Sequence, residues 1–210
     1  MKKKICKNPS CKKQFEPERF AQAVCSWQCG IERSRDDAKK KKAKEEKEAR
    51  KKHREDKERI LRKPELEAKL KRILHEIVRL VDSDLPCVCC GEFANERDFA
   101  LGGDYDAGHY RSVGSLPYLK LDLRNIHRQR KYCNNQNGRG GNYKSYELGL
   151  IARYGNELVD WLNGPHQAPH HTRDDLRNMI VEYRKILNII RKGDKSVREF
   201  YRIELRKLPE

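Results

Sequence analysis

The chain has 210 residues, of which 38% are charged and 36% hydrophobic, and its formal net charge is +16. So large a charged share argues against one large apolar core and favours small metal-held modules flanked by charged helices. The positive surplus indicates a polyanionic partner, because neutralised phosphates release counterions; a basic surface without a defined partner is the alternative. No apolar run approaches the roughly 20 residues of a membrane-spanning helix, so we expect no membrane partner.

The N-terminus is basic but has no apolar segment behind it, so we expect a cytoplasmic protein without a secretory signal. Disulfides are rare in that compartment, and the eight cysteines are therefore interpreted as metal ligands or free thiols. Within residues 1–32, two close cysteine pairs are typical of a zinc finger in which four thiolates hold one tetrahedral ion, namely Cys6, Cys11, Cys25 and Cys29. Ser26 is the predicted N-cap of the next helix. Phe15, Phe20 and Trp27 are expected to form a miniature core.

Residues 33–63 are almost entirely charged, with good helix formers and no apolar stripe. The pattern predicts a single solvated helix, which serves either as a spacer or as a contact to phosphates. Residues 64–82 differ, because after Pro64 apolar residues recur at a spacing of three or four and predict one buried helix face. These apolar residues are Leu66, Leu70, Ile73, Leu74, Ile77, Val78 and Val81.

Residues 83–145 hold the stretch that carries chemistry. A cysteine pair opens it and one cysteine closes it, with a carboxylate, two histidines and an amide in between: Cys87, Cys90, Asp106, His109, Asn125, His127, Cys133 and Asn134. We predict two strands and a helix start, braced by zinc. The part after it, residues 146–210, is expected to be helical, with short helices at 145–154 and 157–162 and a capping box at Thr172.

This set of residues indicates a metal-dependent phosphodiesterase. A neutral imidazole suits a general base near pH 7, which makes His109 the candidate base. The oxygen ligands of Asp106 and Asn134 suit magnesium or manganese, and Asn125 is expected to hold the hairpin or to orient His109. Candidate phosphate contacts are Arg111, Arg128, Arg130 and Arg139. Taken singly, each residue fits a structural role better, and only the ordered set between cysteines favours a nuclease.

The order of these motifs resembles the HNH, or ββα-metal, endonucleases and, more closely, the phage lambda NinG (Rap) recombination proteins. The resemblance extends over most of the chain, to about residue 190. It implies a mostly helical α+β protein with a zinc-braced HNH module, and a structure-selective endonuclease for branched DNA such as D-loops and Holliday junctions. It also implies a bacterial host cell as the location. His109 matches the family's base, Asn125 its middle asparagine and Asn134 its last metal ligand, while Asp106 lies two residues before the usual first ligand position at Gly108. Because resolving a four-way junction usually requires two active sites, a homodimer is a further expectation.

The sequence departs from that family at the second cysteine pair, whose first position is Arg130. A second zinc would then have Cys87, Cys90 and Cys133 and need a fourth ligand, for which His127 and Cys89 are the candidates. A weak or absent zinc is the third alternative, and His127 fits equally well beside Asn125. A non-catalytic zinc-finger DNA-binding accessory protein is the competing hypothesis, and an RNA-binding protein is a weaker one.

Overall fold

The computed structural model describes residues 2–135 and 143–209, and it divides the chain into two compact units, 1–61 and 62–210. The described residues are mostly helical with two small antiparallel sheets, which confirms the α+β prediction. The strands are β1 (Lys4–Ile5), β2 (Gln14–Phe15), β3 (Tyr105–His109) and β4 (Ile126–Arg130). The helices are α1 (Trp27–Ile60), α2 (Lys63–Val81), α3 (Glu96–Ala100), α4 (Lys131–Asn134), α5 (Tyr143–Tyr154), α6 (Asn156–Asn163), α7 (Arg173–Lys192) and α8 (Lys195–Glu204).

The first unit consists of the β1–β2 hairpin and α1. Ser26 caps α1 as predicted, because its hydroxyl accepts a hydrogen bond from the Cys29 amide at 3.3 Å. Without an apolar stripe, α1 buries none of its residues, so the predicted solvated helix is confirmed. This exposure is compatible with both the spacer and the phosphate-contact interpretation.

The predicted aromatic core of the first unit is wrong. Phe20 is 90% exposed and Trp27 is 71% exposed. The interior instead holds Cys6 and Asn8, whose amide donates to Glu32 at 2.6 Å and accepts from the Ser10 amide at 3.1 Å. In so short a segment the cysteine sulfur atoms take up the centre, and of the three predicted aromatic residues only Phe15 is half-buried.

The second unit is organised around α2, which packs against α7 and across both strands of the β3–β4 hairpin. Its seven predicted apolar residues are all buried, at 8% exposure or less. The predicted capping box at the start of α7 is also present, since the Thr172 hydroxyl accepts from the Asp175 amide at 3.1 Å. Among the helices of residues 2–135 and 143–209, none is long and apolar enough to cross a membrane.

The β3–β4 hairpin confirms the two predicted strands, with Asp106 opposite Gln129 and Gly108 opposite His127. A helix follows the hairpin as predicted, but Cys133 and Asn134, which were expected to open it, lie at the end of α4.

On the other side of the hairpin, α5 and α6 enclose a second core formed by Val88, Tyr110, Leu119, Tyr146, Leu150, Leu158, Val159 and Leu162. Within this core Gly149 allows α5 to touch the cysteine segment, because a Cβ there would lie 1.7 Å from the Val88 carbonyl oxygen.

Candidate functional site

The four cysteines of the first unit form one cluster, with their sulfur atoms all within 4.8 Å of one another. The sulfur of Cys25 lies 3.6 Å from those of Cys11 and Cys29. A zinc ion bonded to four thiolates at about 2.3 Å gives sulfur–sulfur edges of about 3.8 Å. The spacing is therefore that of a tetrahedral zinc site, and the cluster could hold zinc as predicted.

The electrostatics of this cluster also suit a cation. Hydrogen bonds with Cys11 and Cys29 raise the pKa of Cys25 to about 12. Hydrogen bonds from Asn8 and Ser26 lower the pKa of Cys29 to about 7. Thiolates at this spacing repel one another, so full ionisation of the cluster needs a positive charge at its centre.

A second cluster joins Cys87, Cys90 and Cys133, whose sulfur atoms also lie within 4.8 Å of one another. The sulfur of Cys87 accepts hydrogen bonds from the backbone amides of Cys89 at 3.3 Å and Arg130 at 3.2 Å. Three thiols brought together from two segments of the chain could hold a metal ion, as the sequence predicts.

His127, a candidate fourth ligand, lies outside the second cluster: among the residues that the structure describes, the group of mutually close metal-binding atoms consists of the three thiols. Its fully buried ring packs against Tyr154 at 5.3 Å and Tyr146 at 6.1 Å between ring centroids. Complete burial holds its pKa well below the usual value, so the ring is neutral. Cys89, the other candidate, also lies outside the three-thiol group.

Arg130 lies beside the three thiols, at the position where the expected second cysteine pair would have its first member. Its guanidinium donates to Cys90 Sγ at 3.7 Å, to Asp98 Oδ2 at 2.8 Å and to Glu92. The whole residue is only 3% exposed. The predicted phosphate contact of Arg130 is therefore corrected, because its guanidinium is already neutralised inside the protein.

The other candidate arginines differ in how available they are. Arg128 donates to the carbonyl oxygens of Asp82, Ser83 and Leu85 and stacks on Tyr105, so the structure gives it an internal role instead of the predicted phosphate contact.

Arg111 donates to Tyr143 at 3.0 Å and Asn163 at 3.3 Å and stays partly exposed, and its phosphate contact stays a prediction. Arg139 lies outside the described residues.

Asp106 and Asn134 meet as predicted, although 28 residues separate them along the chain. The side-chain amide of Asn134 donates to Asp106 Oδ2 at 2.9 Å, and both residues are partly exposed. Lys131, one turn before Asn134, places its ammonium group 3.9 Å from the same carboxylate. The pairing arises because α4 turns back over the start of β3 directly after the hairpin.

His109, at the end of β3, forms a hydrogen bond with one of its two ring nitrogens. Its Nε2 lies 3.1 Å from the Lys120 carbonyl oxygen. A carbonyl only accepts hydrogen bonds, so Nε2 carries the proton and Nδ1 carries the lone pair. Burial lowers the pKa of His109, which keeps the ring neutral near pH 7.

Asn125 holds the loop that supplies this carbonyl. Its side chain accepts from the Arg111 amide at 2.7 Å and donates to the Arg111 carbonyl at 3.0 Å and the Leu119 carbonyl at 3.2 Å. Of the two predicted roles, the fully buried Asn125 therefore has the one of holding the hairpin loop. It acts on His109 indirectly, by fixing the segment next to Lys120.

One residue at this site has no counterpart in the sequence prediction. The ring of His75, on α2, lies 5.6 Å from the ring of His109 and is tilted by 60°. Burial is the main cause that lowers its pKa to about 4. A histidine in an amphipathic helix outside the motif gives no signal in the sequence, and only the packing of α2 on β3 brings it to the site.

The fold and these sites define a two-unit, mostly helical α+β protein with two cysteine clusters that could hold metal. The family model described as Bacteriophage Lambda NinG protein matches residues 1–194. The chain therefore belongs to the NinG family.

Its relatives include protein ninG of Escherichia phage lambda and of Salmonella phage P22, each 30% identical over 198 residues. The alignments span 89% of this chain and 92% and 93% of those relatives. Protein ninG of Escherichia phage 933W is 34% identical over 118 residues, or 56% of this chain and 54% of the relative. No solved structure matches the chain.

Proposed function

We propose that this protein is a metal-dependent endonuclease of the HNH type that cuts branched DNA. The observation that carries the proposal is the state of His109, whose Nε2 proton is bound to the Lys120 carbonyl and whose Nδ1 is left as a base. This base lies three residues from Asp106 on one strand, and Asp106 is in turn paired with Asn134. A hydrolytic site needs a base and an anionic oxygen ligand, and β3 carries both residues.

The oxygen atoms of Asp106 and Asn134 fit a hard divalent cation such as magnesium or manganese. When bound, such an ion offsets the charge that develops on the scissile phosphate and on the leaving oxygen. His109 accepts the proton of the attacking water at Nδ1, while the Lys120 carbonyl stabilises the proton that Nε2 already holds. Lys131 adds positive charge beside Asp106.

The choice of branched DNA as substrate rests on the resemblance to the recombination proteins and on the net charge of +16. We infer that the protein acts in the cytoplasm of a bacterial host cell, because its relatives are phage proteins. A homodimer would bring two hairpins to one junction.

The competing proposal is a zinc-finger DNA-binding accessory protein without catalysis. The observation that favours it is the first unit, in which a four-thiol cluster leads directly into the exposed basic helix α1. It gives no role to the free Nδ1 of His109 or to the Asp106–Asn134 pair.

A His109→Ala variant separates the two proposals. We expect the wild type to cut branched DNA in magnesium or manganese and the variant to lose about 10²- to 10⁴-fold in rate, the usual contribution of a general base. DNA binding and zinc content, measured on the same samples, should not change. His170→Ala, in an exposed loop, is the matched control. Cleavage that survives in His109→Ala contradicts the assignment of the base, and absence of cleavage in the wild type favours the accessory protein.

A further inference from the structure

The polar side of α2 carries three residues at a spacing of four, Lys71, His75 and Arg79. Four residues are about one helical turn, so these side chains form one stripe about 12 Å long. We call it the α2 stripe. The seven buried residues of the helix occupy other positions, and both ends of the stripe, Lys71 and Arg79, are exposed.

The α2 stripe runs beside the candidate base. The middle residue, His75, is the one whose ring lies 5.6 Å from that of His109. One turn before Lys71, Glu67 accepts from Lys120 Nζ at 2.7 Å. The backbone carbonyl of that same Lys120 holds His109, so one residue connects α2 to the base.

The two cations of the stripe are uncompensated. Lys71 and Arg79 form no ion pair with any residue that the structure describes, whereas the acids Glu67 and Glu76 of the same helix are neutralised by Lys120 and Arg191. Beyond the effect of burial and of His109, the charges of Lys71 and Arg79 lower the pKa of His75, and the Asp106 carboxylate opposes them with a smaller effect. The potential at His75 is thus raised from both sides along the helix, which suits an anion.

His75 itself has a nitrogen that lacks a partner. Its Nε2 is shielded from solvent and makes no hydrogen bond to the described parts of the chain. Because this nitrogen is shielded from solvent, an anion would be held by the exposed cations on either side of the ring and not by the ring itself.

We propose that the α2 stripe binds backbone phosphates of the DNA strand that lies at His109. Lys71 and Arg79 provide the ionic contacts, on either side of the half-buried His75. The location of the strand rests on the proposed nuclease function, whereas the phosphate chemistry rests on the stripe itself. A metal ion is the poorer occupant, because two flanking cations repel it.

The test is equilibrium binding of a fluorescent four-way DNA junction between 50 and 200 mM salt, without magnesium or manganese. The main variant is Lys71→Ala/Arg79→Ala, and the matched control is Lys185→Ala/Lys192→Ala, which removes two exposed cations from α7. The logarithm of the binding constant K falls linearly with the logarithm of the salt concentration, and each lost phosphate contact makes this slope about 0.9 less steep. For two lost contacts, we therefore expect the slope of the stripe variant to be about 1.8 less steep than that of the wild type. Its affinity at low salt should fall about tenfold. The control should change much less.

A His75→Gln variant removes the shielded ring and keeps both cations. Its salt slope should stay that of the wild type, because no charged phosphate contact is lost. A slope that changes as much as in the stripe variant contradicts the assignment of the contacts to Lys71 and Arg79.

Binding and cleavage separate this inference from the proposed function. A stripe variant with the wild-type salt slope overturns the inference, even if the wild type cuts DNA normally. If the slope falls but the wild type cuts no DNA, the stripe remains a phosphate contact and the nuclease proposal fails. A wild type that binds no DNA overturns both. Circular dichroism checks folding, and the single variants Lys71→Gln and Arg79→Gln repeat the test if the double variant unfolds.

Discussion

The first prediction concerns Arg130 and how much its buried ion pair with Asp98 contributes to stability. In Arg130→Ala, the fully buried carboxylate of Asp98 loses a guanidinium at 2.8 Å. Cys90 and Glu92 lose a donor as well. Breaking a buried ion pair from one side typically costs about 3–5 kcal/mol, because the remaining charge is left without its partner.

The structure indicates the lower end of this range. Asp98 keeps two backbone donors, the amides of Asn95 and Tyr132, each at 2.9 Å. We therefore expect Arg130→Ala to lose about 3 kcal/mol, which is a large part of the roughly 5–15 kcal/mol of a typical domain. For a unit of this size, the melting temperature should fall by about 6–12 °C.

Urea and thermal unfolding of zinc-loaded protein, followed by circular dichroism, measure this loss. Asp98→Ala should destabilise by a similar amount, and the double variant should cost clearly less than the sum. Arg111→Ala, which removes a partly exposed arginine, is the control. If Arg130→Ala loses under about 1 kcal/mol while DNA affinity falls, Arg130 is a phosphate contact and the burial argument fails.

Three further outcomes are expected. Gly149→Ala should destabilise by about 1–3 kcal/mol in urea unfolding, because its Cβ would collide with the Val88 carbonyl; an unchanged midpoint contradicts this contact. The pKa of buried His127 lies below that of the unfolded chain, near 6.5, so the unfolded state takes up the proton first. His127 should therefore contribute no pH dependence of stability above pH 6.5 and up to about 1.4 kcal/mol per pH unit below it, in addition to the contributions of His75 and His109, whose pKa values are also lowered; a slope that is the same in His127→Gln refutes this. Cys25→Ser should lower the zinc content by about one ion per chain, and unchanged metal analysis would exclude the four-thiol site.

The parts of the fold that local rules determine could be predicted from the sequence. The apolar spacing from Leu66 to Val81 predicted the buried face of α2, and the caps at Ser26 and Thr172 predicted two helix starts. The meeting of Asp106 with Asn134 followed from a hairpin that leads into a helix. In each case the relevant neighbours lie within a few turns or across one short hairpin.

Other features depend on contacts between distant segments. In the sequence, Arg130 has the features of a surface cation. Only the fold shows its contact with Asp98, which lies 32 residues earlier. His75 and His109 are 34 positions apart and meet only because α2 packs on β3. Trp27 was expected in a core, but a cluster of sulfur atoms leaves it exposed. Residue type and spacing do not contain this information.

The net positive charge therefore does not by itself say where DNA would bind. In the hairpin, Arg128 donates hydrogen bonds to carbonyl oxygens, and Arg130 donates to carboxylates and a thiol within the protein. Lys71 and Arg79 are chemically less distinctive in the sequence, yet they are exposed and form no ion pair with the described residues. A DNA phosphate competes poorly for a guanidinium that is already bound to a buried carboxylate. The affinity for DNA should therefore depend more on Lys71 and Arg79 than on Arg128 and Arg130. Alanine substitutions of Lys71 and Arg79 on α2 should therefore lower the affinity for DNA, whereas those of Arg128 and Arg130 on β4 should lower the stability of the fold.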